Sequence, residues 1–379
     1  MGAGSRLSQL QEGVLWWNDG RTFGTNAMWP SNALTERLNL KWPILQAPMG
    51  SASTPALAAA VSNAGGLGGL GMWGRTAEQA GRRIAGFRQQ SGGSLNVNYP
   101  IWPDPRCKPE TRDAMRQHLQ AHYEAHGLGP VPEPQGEVSD VGPDHVALLL
   151  ETKPEAVSFH FGLPEPEIIE AIKAAGIFIV SSATTVTEAR LLEKSGVDAI
   201  IAQGIEAGGH RATFTGVDVS MQPGLFALLP QIVDAVRTPV IAAGGVADGR
   251  TAAAAFMLGA SAVQVGTAFL RCEEAEVQDA HRAALAEASD ASTVVTDVIS
   301  GRACRYIRNK LIDDLIESGL TPLPVPAQQS LTRPLGKTGQ HDWTALTSGQ
   351  SAALARHTNA AELVEQLAEE TGKRLRAFA

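Results

Sequence analysis

A chain of 379 residues, 44% hydrophobic and 18% charged, is long enough to bury a sizeable core and exceeds one typical small domain. Its formal net charge of −8, with no basic cluster to offset it, argues against binding to nucleic acid or to an anionic membrane. Three isolated cysteines, Cys107, Cys272 and Cys304, suggest neither a disulfide framework nor a metal site and fit a reducing compartment.

The N-terminal residues lack the apolar run of a secretory signal. No window approaches the roughly 20 apolar residues of a membrane helix. The expectation is a soluble, cytoplasmic protein. Residues 1–37 form an extension carrying Trp16, Trp17, Phe23 and Trp29. So aromatic a segment is expected to pack along the domain or against a second subunit, which is compatible with a homodimer.

The first core strand is expected in WPILQAPM (42–49), stopped by Pro48. An alanine-rich helix follows over 54–64, with Pro55 at its start. The glycine run GGLGGLG (65–71) formally contains the G-x-G-x-x-G dinucleotide fingerprint. The fingerprint should follow a strand and open a helix, with an acidic residue about 20 positions on. Here the glycines follow a helix, and Ser91 stands where the acid belongs. A tight helix-to-strand turn with a short strand is the better reading.

A helix over 76–89 and a strand SLNVNY (94–99) continue the alternation, with Asn98 at the strand's C-terminal end. Residues 100–145 break it with proline, glycine and charge around one helical segment, 109–126. His118, His122 and His126 recur there at i, i+4, i+8, a spacing compatible with a metal. The polar, proline-rich flanks read instead as a solvated face, and no metal is assigned. The rhythm resumes with AVSFHF (156–161) and a strand over 177–182. AIIAQ (199–203) and PVIAAGGV (239–246) are the next strands, and AVQVGTA (262–268) is the last, with helices between. Asp248 is placed to cap the helix that follows 239–246. About eight strands alternating with helices indicate an α/β fold, a (β/α)8 TIM barrel over 38–270. It would carry an insertion at about 100–145 after strand 3 and helical C-terminal cladding over 271–379.

In such a barrel the chemistry lies at the C-terminal rim of the strands. QGIEAGGHRAT (203–213) places a glycine pair and His210 at the sixth strand end. Gly244–Gly245 and Gly266–Thr267 end the last two strands, where backbone N–H groups can cradle a phosphate. Asn98, His160, Ser181, Ser182 and Gln203 line the remaining rim with neutral hydrogen-bonding groups suited to a flat heteroaromatic ring. A phosphate plus a ring indicates a nucleotide-like cofactor, of which flavin mononucleotide (FMN) is one candidate; periodicity alone does not choose it.

Several motifs in collinear order resemble the nitronate monooxygenase family, formerly 2-nitropropane dioxygenases. They are PILQAPMG (43–50), NVN (96–98), SFHFGLP (158–164), SSATTVTEA (181–189), QGIEAGGHR (203–211), PVIAAGGVADG (239–249) and LGASAVQVGTAFL (258–270). The likeness is clear again at SGQSAALA (348–355). The resemblance implies FMN bound by Ala47, Pro48, Met49, Asn98, Gln203, Gly208, Gly244 and Gly245. It places Gln264, Val265, Gly266 and Thr267 at the phosphate end. His210 would be the catalytic histidine, as a neutral base toward a nitroalkane or as imidazolium toward nitronate oxygens. His160 would be a second polar contact to substrate or a packing residue. The family often has glycine where this chain has Ala212, whose methyl is expected to narrow the substrate pocket. The implied reaction takes a nitronate, such as propionate 3-nitronate, and O2 to a carbonyl compound and nitrite. The competing readings are an enoyl-acyl-carrier-protein reductase using NAD(P)H, and a non-enzymatic flavin-binding protein. A purine-nucleotide dehydrogenase fits less well, because no cysteine stands at a strand end.

Overall fold

Eight short, buried runs pair in parallel, in an order that returns to its start. They are β1 (Ile44–Gln46), β2 (Gly68–Gly71), β3 (Leu95–Pro100), β4 (Ala156–His160), β5 (Phe178–Ala183), β6 (Ala199–Gln203), β8 (Val240–Ala243) and β9 (Ala262–Val265). Three more strands, β7 (Gly209–His210), β10 (Thr293–Thr296) and β11 (Cys304–Ile307), form a separate antiparallel sheet. The parallel order is β1-β9-β8-β6-β5-β4-β3-β2, and a bridge between Leu45 and Leu67 closes the ring. The structure, a computed structural model, describes residues 32–102, 108–135, 141–356 and 358–377. Most of the aromatic extension, and Cys107, lie outside the described residues.

Alternation along the strands divides two cores. Leu45, Ala156, Phe178, Val180, Ala199, Ile201, Ile241 and Ala262 join Leu34 and Leu38, which pack across one end of the barrel. Val97, Val157, Phe159, Ile179, Ile200, Val240 and Val263 belong to a second cluster that includes Leu57, Ile84, Ile172, Leu192 and Ile232 of the surrounding helices. Near-continuous apolar strands are what a sheet covered on both faces requires.

The glycine run is explained by close packing. A Cβ at Gly68 would lie 2.2 Å from the Ala58 carbonyl oxygen of the preceding helix. No side chain fits there, and the run forms β2 rather than a phosphate loop. Helix Gly249–Met257 begins with the expected Asp248 cap, reciprocated by Thr251. The terminal helix Ala360–Ala377 lies along it, so close that a Cβ on Gly249 would meet that of Glu370 at 2.2 Å.

The region after the barrel differs from the expectation of helical cladding. Beside helices Asp279–Glu287, Lys310–Glu317 and Ala327–Gly336 it contains β10 and β11. The insertion holds helix Pro109–Ala125, and a second helix, Pro143–Thr152, leads into β4. Met115, Leu119 and Tyr123 of the insertion share one apolar core with Ile299, Tyr306, Ile312, Leu323 and Leu331. The insertion and the post-barrel region are therefore one packed unit. The three histidines do not form a solvated face: His118 and His122 turn toward Asp314, and Trp343 packs on His122 and His126.

Candidate active site

The loop after β6 is held from every side. Gln203 donates its amide to the His210 carbonyl (3.2 Å) and accepts from the Ala212 N–H (2.9 Å). Beneath it the fully buried Arg211 guanidinium donates to the carbonyls of Gly204 (2.6 Å) and Gln203 (2.7 Å) and to Gln222 Oε1 (2.8 Å). Burial pushes Arg211 down to about 10, and three charge-assisted bonds inside the fold keep it a cation at neutral pH. On the outer side, one oxygen of the buried Glu188 accepts from Thr213 Oγ1 (2.7 Å) and from the Phe214 and Thr215 N–H groups (2.8 and 3.1 Å). Burial opposes ionisation of Glu188, but these bonds with those from Thr184 hold its carboxyl below the ordinary value. Finally β11 pairs with β7, setting Cys304 opposite His210 and Arg305 opposite Gly209.

So fixed, the His210 ring stands edge-on to three aromatic rings. Centroid separations are 5.7 Å to Trp102, 6.0 Å to Trp73 and 6.1 Å to Phe161. Phe161 reaches this place through a left-handed backbone (φ 70°), a conformation costing a non-glycine residue about 1 kcal/mol. Ser181 supports that turn by donating to the carbonyls of Phe159 and Gly162. His210 Nε2 lies 3.0 Å from Ser300 Oγ, whose single proton goes to the Arg302 carbonyl (3.0 Å). With the Ser300 proton on that carbonyl, the favoured tautomer has Nε2–H donating to Ser300 and the lone pair on Nδ1. Burial, reinforced by the charge of Arg302 and by His160, pushes His210 down to about 3. The lowered pKa keeps the ring neutral in the ligand-free protein at physiological pH, which favours the neutral-base role.

Arg302 supplies the positive charge. Its guanidinium lies 4.2 Å from the Phe161 ring centroid and donates to the Thr213 carbonyl. Its Nε–H and the Trp102 indole N–H are buried without a hydrogen-bond partner among the described residues. Both border a cleft of about 460 Å³, also lined by Ile101, Phe161, Thr213 and Phe214. Two buried donors left unmet, beside a cleft and a neutral base, suit an acceptor-rich or anionic ligand.

The remaining sequence-predicted residues divide by exposure. Ala47, Pro48, Met49, Gly208, Gly244, Gly245, Gly266 and Thr267 are half-buried at the strand ends, while the strands beneath them are closed to solvent. Gly244 and Gly245 hold φ of 103° and 73° in a turn that presses on the Gly204 carbonyl and Ala207. Residues 348–350 close the same side: Gly349 N–H donates to Thr267 Oγ1 (2.8 Å) and Gln350 N–H to the Glu206 carbonyl (3.0 Å). A Cβ on Gly208 would meet Gly349 N at 2.5 Å, so glycine is required where these loops cross. Gln264 Oε1 is buried without a partner among the described residues, whereas the Val265 side chain is fully buried and its carbonyl accepts from Ala47 N–H in the rim loop.

Asn98 donates to the Ser158 carbonyl and hydroxyl at 3.1 and 3.0 Å. His160 Nδ1 lies 3.3 Å from Ser182 Oγ and 3.4 Å from Asn98 Nδ2, and burial lowers its pKa. One expectation is overturned. Ala212 is fully buried, with its N–H on Gln203, so its methyl contributes no surface to the pocket. The aromatic walls of the cleft are Trp102 and Phe161, with Trp73 packed on Trp102 behind them. Ser300, Arg302, Trp73 and Trp102 were not singled out from the sequence.

A closed parallel barrel with a neutral histidine at its C-terminal rim defines an α/β-barrel of the enzyme type. A family model described as nitronate monooxygenase matches residues 31–370. The chain belongs to the nitronate monooxygenase family, a family of oxidoreductases. It is 40% identical over 351 residues to a nitronate monooxygenase of Pseudomonas aeruginosa, covering 90% of this chain and 99% of that one. Against a nitronate monooxygenase of Paraburkholderia phytofirmans it is 40% identical over 361 residues, covering 92% and 98%. Among solved structures, a nitroalkane oxidase from Streptomyces ansochromogenes superposes with a TM-score of 0.85 at 36% identity, over 92% of this chain and all of that one. FabK from Thermotoga maritima gives a TM-score of 0.71 at 28% identity, over 92% and 99%.

Proposed function

We propose that this chain binds FMN across the barrel mouth and oxidises alkyl nitronates with O2 to a carbonyl compound and nitrite. The observation that carries the reading is His210, held neutral and aromatic-walled beside the Arg302 guanidinium, next to a rim of accessible glycines. What supports the cofactor is the chemistry of the rim: the half-buried Gly208, Gly244, Gly245, Gly266 and Thr267 offer backbone and hydroxyl groups of the kind that would hold a phosphate. Gln264 Oε1, without a partner among the described residues, is available to a ring, with Asn98 held beside it by Ser158 and with Ala47, Pro48 and Met49 as apolar support. FMN, when bound, supplies the electron-accepting chemistry, and the protein supplies orientation and electrostatics.

The roles of the side chains follow from their charge states. Arg302 pairs with a nitronate, which is already an anion, and its unmet Nε–H gives that charge a specific partner. Toward a neutral nitroalkane, His210 Nδ1 takes the proton from the carbon beside the nitro group, while Ser300 fixes the tautomer. Trp73, Trp102 and Phe161 exclude water around the reacting carbon. His160, with a lowered pKa and bonds to Asn98 and Ser182, acts as a neutral contact at the rim. The small-molecule partners are thus a nitronate or nitroalkane and O2. The reading as a reductase is less well supported, since the nitroalkane oxidase superposes more closely than FabK.

The test is His210→Asn. The variant should keep bound FMN, read as visible absorbance released on denaturation, and lose about 100-fold or more of its turnover of neutral nitroalkanes. Full activity in the variant removes the base role. A wild-type protein that neither carries nor takes up FMN removes the cofactor.

A further inference from the structure

Away from the barrel mouth, one side-chain constellation has the composition of a metal centre. His118 and His122 stand one turn apart on helix Pro109–Ala125, on the face turned toward helix Lys310–Glu317. Both imidazole Nε2 atoms approach the same oxygen of Asp314, at 2.7 and 2.9 Å. All three ligand atoms lie within 4.8 Å of one another. The side chains retain only 26%, 19% and 34% of their exposure. Trp343 packs on the His122 ring at a centroid distance of 4.8 Å, which limits its rotation.

We propose that His118, His122 and Asp314 bind a late first-row divalent cation, with zinc the natural probe. Two imidazoles and a carboxylate are borderline donors that favour such ions over magnesium or calcium. Tetrahedral coordination with bonds of ~2.0–2.1 Å puts donor atoms about 3.3 Å apart. The two histidine–aspartate separations therefore need to open by only about half an ångström, within reach of small side-chain rotations. Each imidazole carries its proton on Nδ1 when Nε2 binds the ion, and water fills the fourth position. The ion would tie the insertion helix to the post-barrel region, whose shared core includes Ile299, next to Ser300. The site is independent of the flavin.

The experiment is calorimetric titration of tag-free, FMN-loaded, chelator-treated and dialysed protein with zinc chloride at pH 7.5. We expect about one equivalent bound with a Kd on the order of micromolar, and a Tm raised by a few degrees. His118→Gln, His122→Gln and Asp314→Asn should each weaken binding about 10-fold or more, while His341→Gln, an exposed control, should not. Melting each variant without zinc verifies that it is folded, and either glutamine variant suffices if Asp314→Asn is not. Absence of saturable binding below ~1 mM, or binding that the folded site variants leave unchanged, overturns the proposal and leaves a hydrogen-bonded clasp.

Discussion

At the scale of the residue, the proposed function depends on which of two groups near the cleft carries charge. His210 is lowered to about 3 and Arg302 to about 10, both chiefly by burial, so at neutral pH the first is neutral and the second is a cation. A base with a depressed pKa is active above that pKa and is lost only as pH falls through it. For a neutral nitroalkane, kcat/KM should therefore show no inflection from His210 between pH 5 and 8. An acidic limb centred near 6.5, the unperturbed histidine value, would contradict its burial-lowered state. Arg302→Ala should raise KM for a nitronate by about 10-fold or more, with kcat less affected, because a charge-assisted contact is removed from bound substrate. Arg302→Lys should restore this only in part, since an ammonium lacks the planar fork. Steady-state oxygen uptake against nitronate concentration measures both.

At the scale of the element, the loop over 203–215 shows what keeps His210 in place. Its turn is fastened by the strand end at Gln203, by Arg211 beneath, by Glu188 outside and by β11 across. Glu188 is the most exactingly placed of these, because one carboxylate satisfies several loop donors. Its lowered pKa gives it a pH signature: the stabilisation is present above the unfolded value of about 4.3 and is lost as pH falls through the folded one. Glu188→Gln should lower stability by ~2 kcal/mol or more at pH 7, where it leaves loop donors unmet. The gap from wild type should shrink below about pH 4, as the carboxylate itself protonates. Denaturant melts at pH 7 and pH 3 check this; an equal gap at both pH values would rule out ionisation as the source.

The same loop explains how far the site could be read in the sequence. The barrel strands were legible because each is a short apolar run such as AIIA or VIAA, framed by helix caps and glycines. His210 was legible because a glycine pair precedes it at a strand end. Ala212 was misplaced because the chain turns inward directly after His210, and nothing in HRAT announces that the methyl faces the core. Ser300 and Arg302 were missed because they arrive from about 90 residues away through β11. Its sequence, CRYI, carries charge and no clean alternation. Trp73 and Trp102 lie just beyond strand ends, where an aromatic residue is easily taken for packing.

At the scale of the whole molecule, the barrel provides the rim and the insertion with the post-barrel region provides the wall that faces it. A base on a strand-end loop, a guanidinium from the opposing wall and glycine turns at the last two strands converge because the two units pack together through β7 and β11. No helix among the described residues is long and apolar enough to cross a membrane. If FMN binds the folded chain alone, as proposed, it should stabilise the fold by about 2.7 kcal/mol at 100 times its Kd and raise Tm in a concentration-dependent way. The most direct measurement of the central claim is oxygen consumption by the FMN-loaded protein, with a nitronate alone compared with NADH alone. The account predicts nitronate-dependent oxygen uptake with release of nitrite and no requirement for NADH; rapid NADH oxidation with no turnover of nitronate would contradict it.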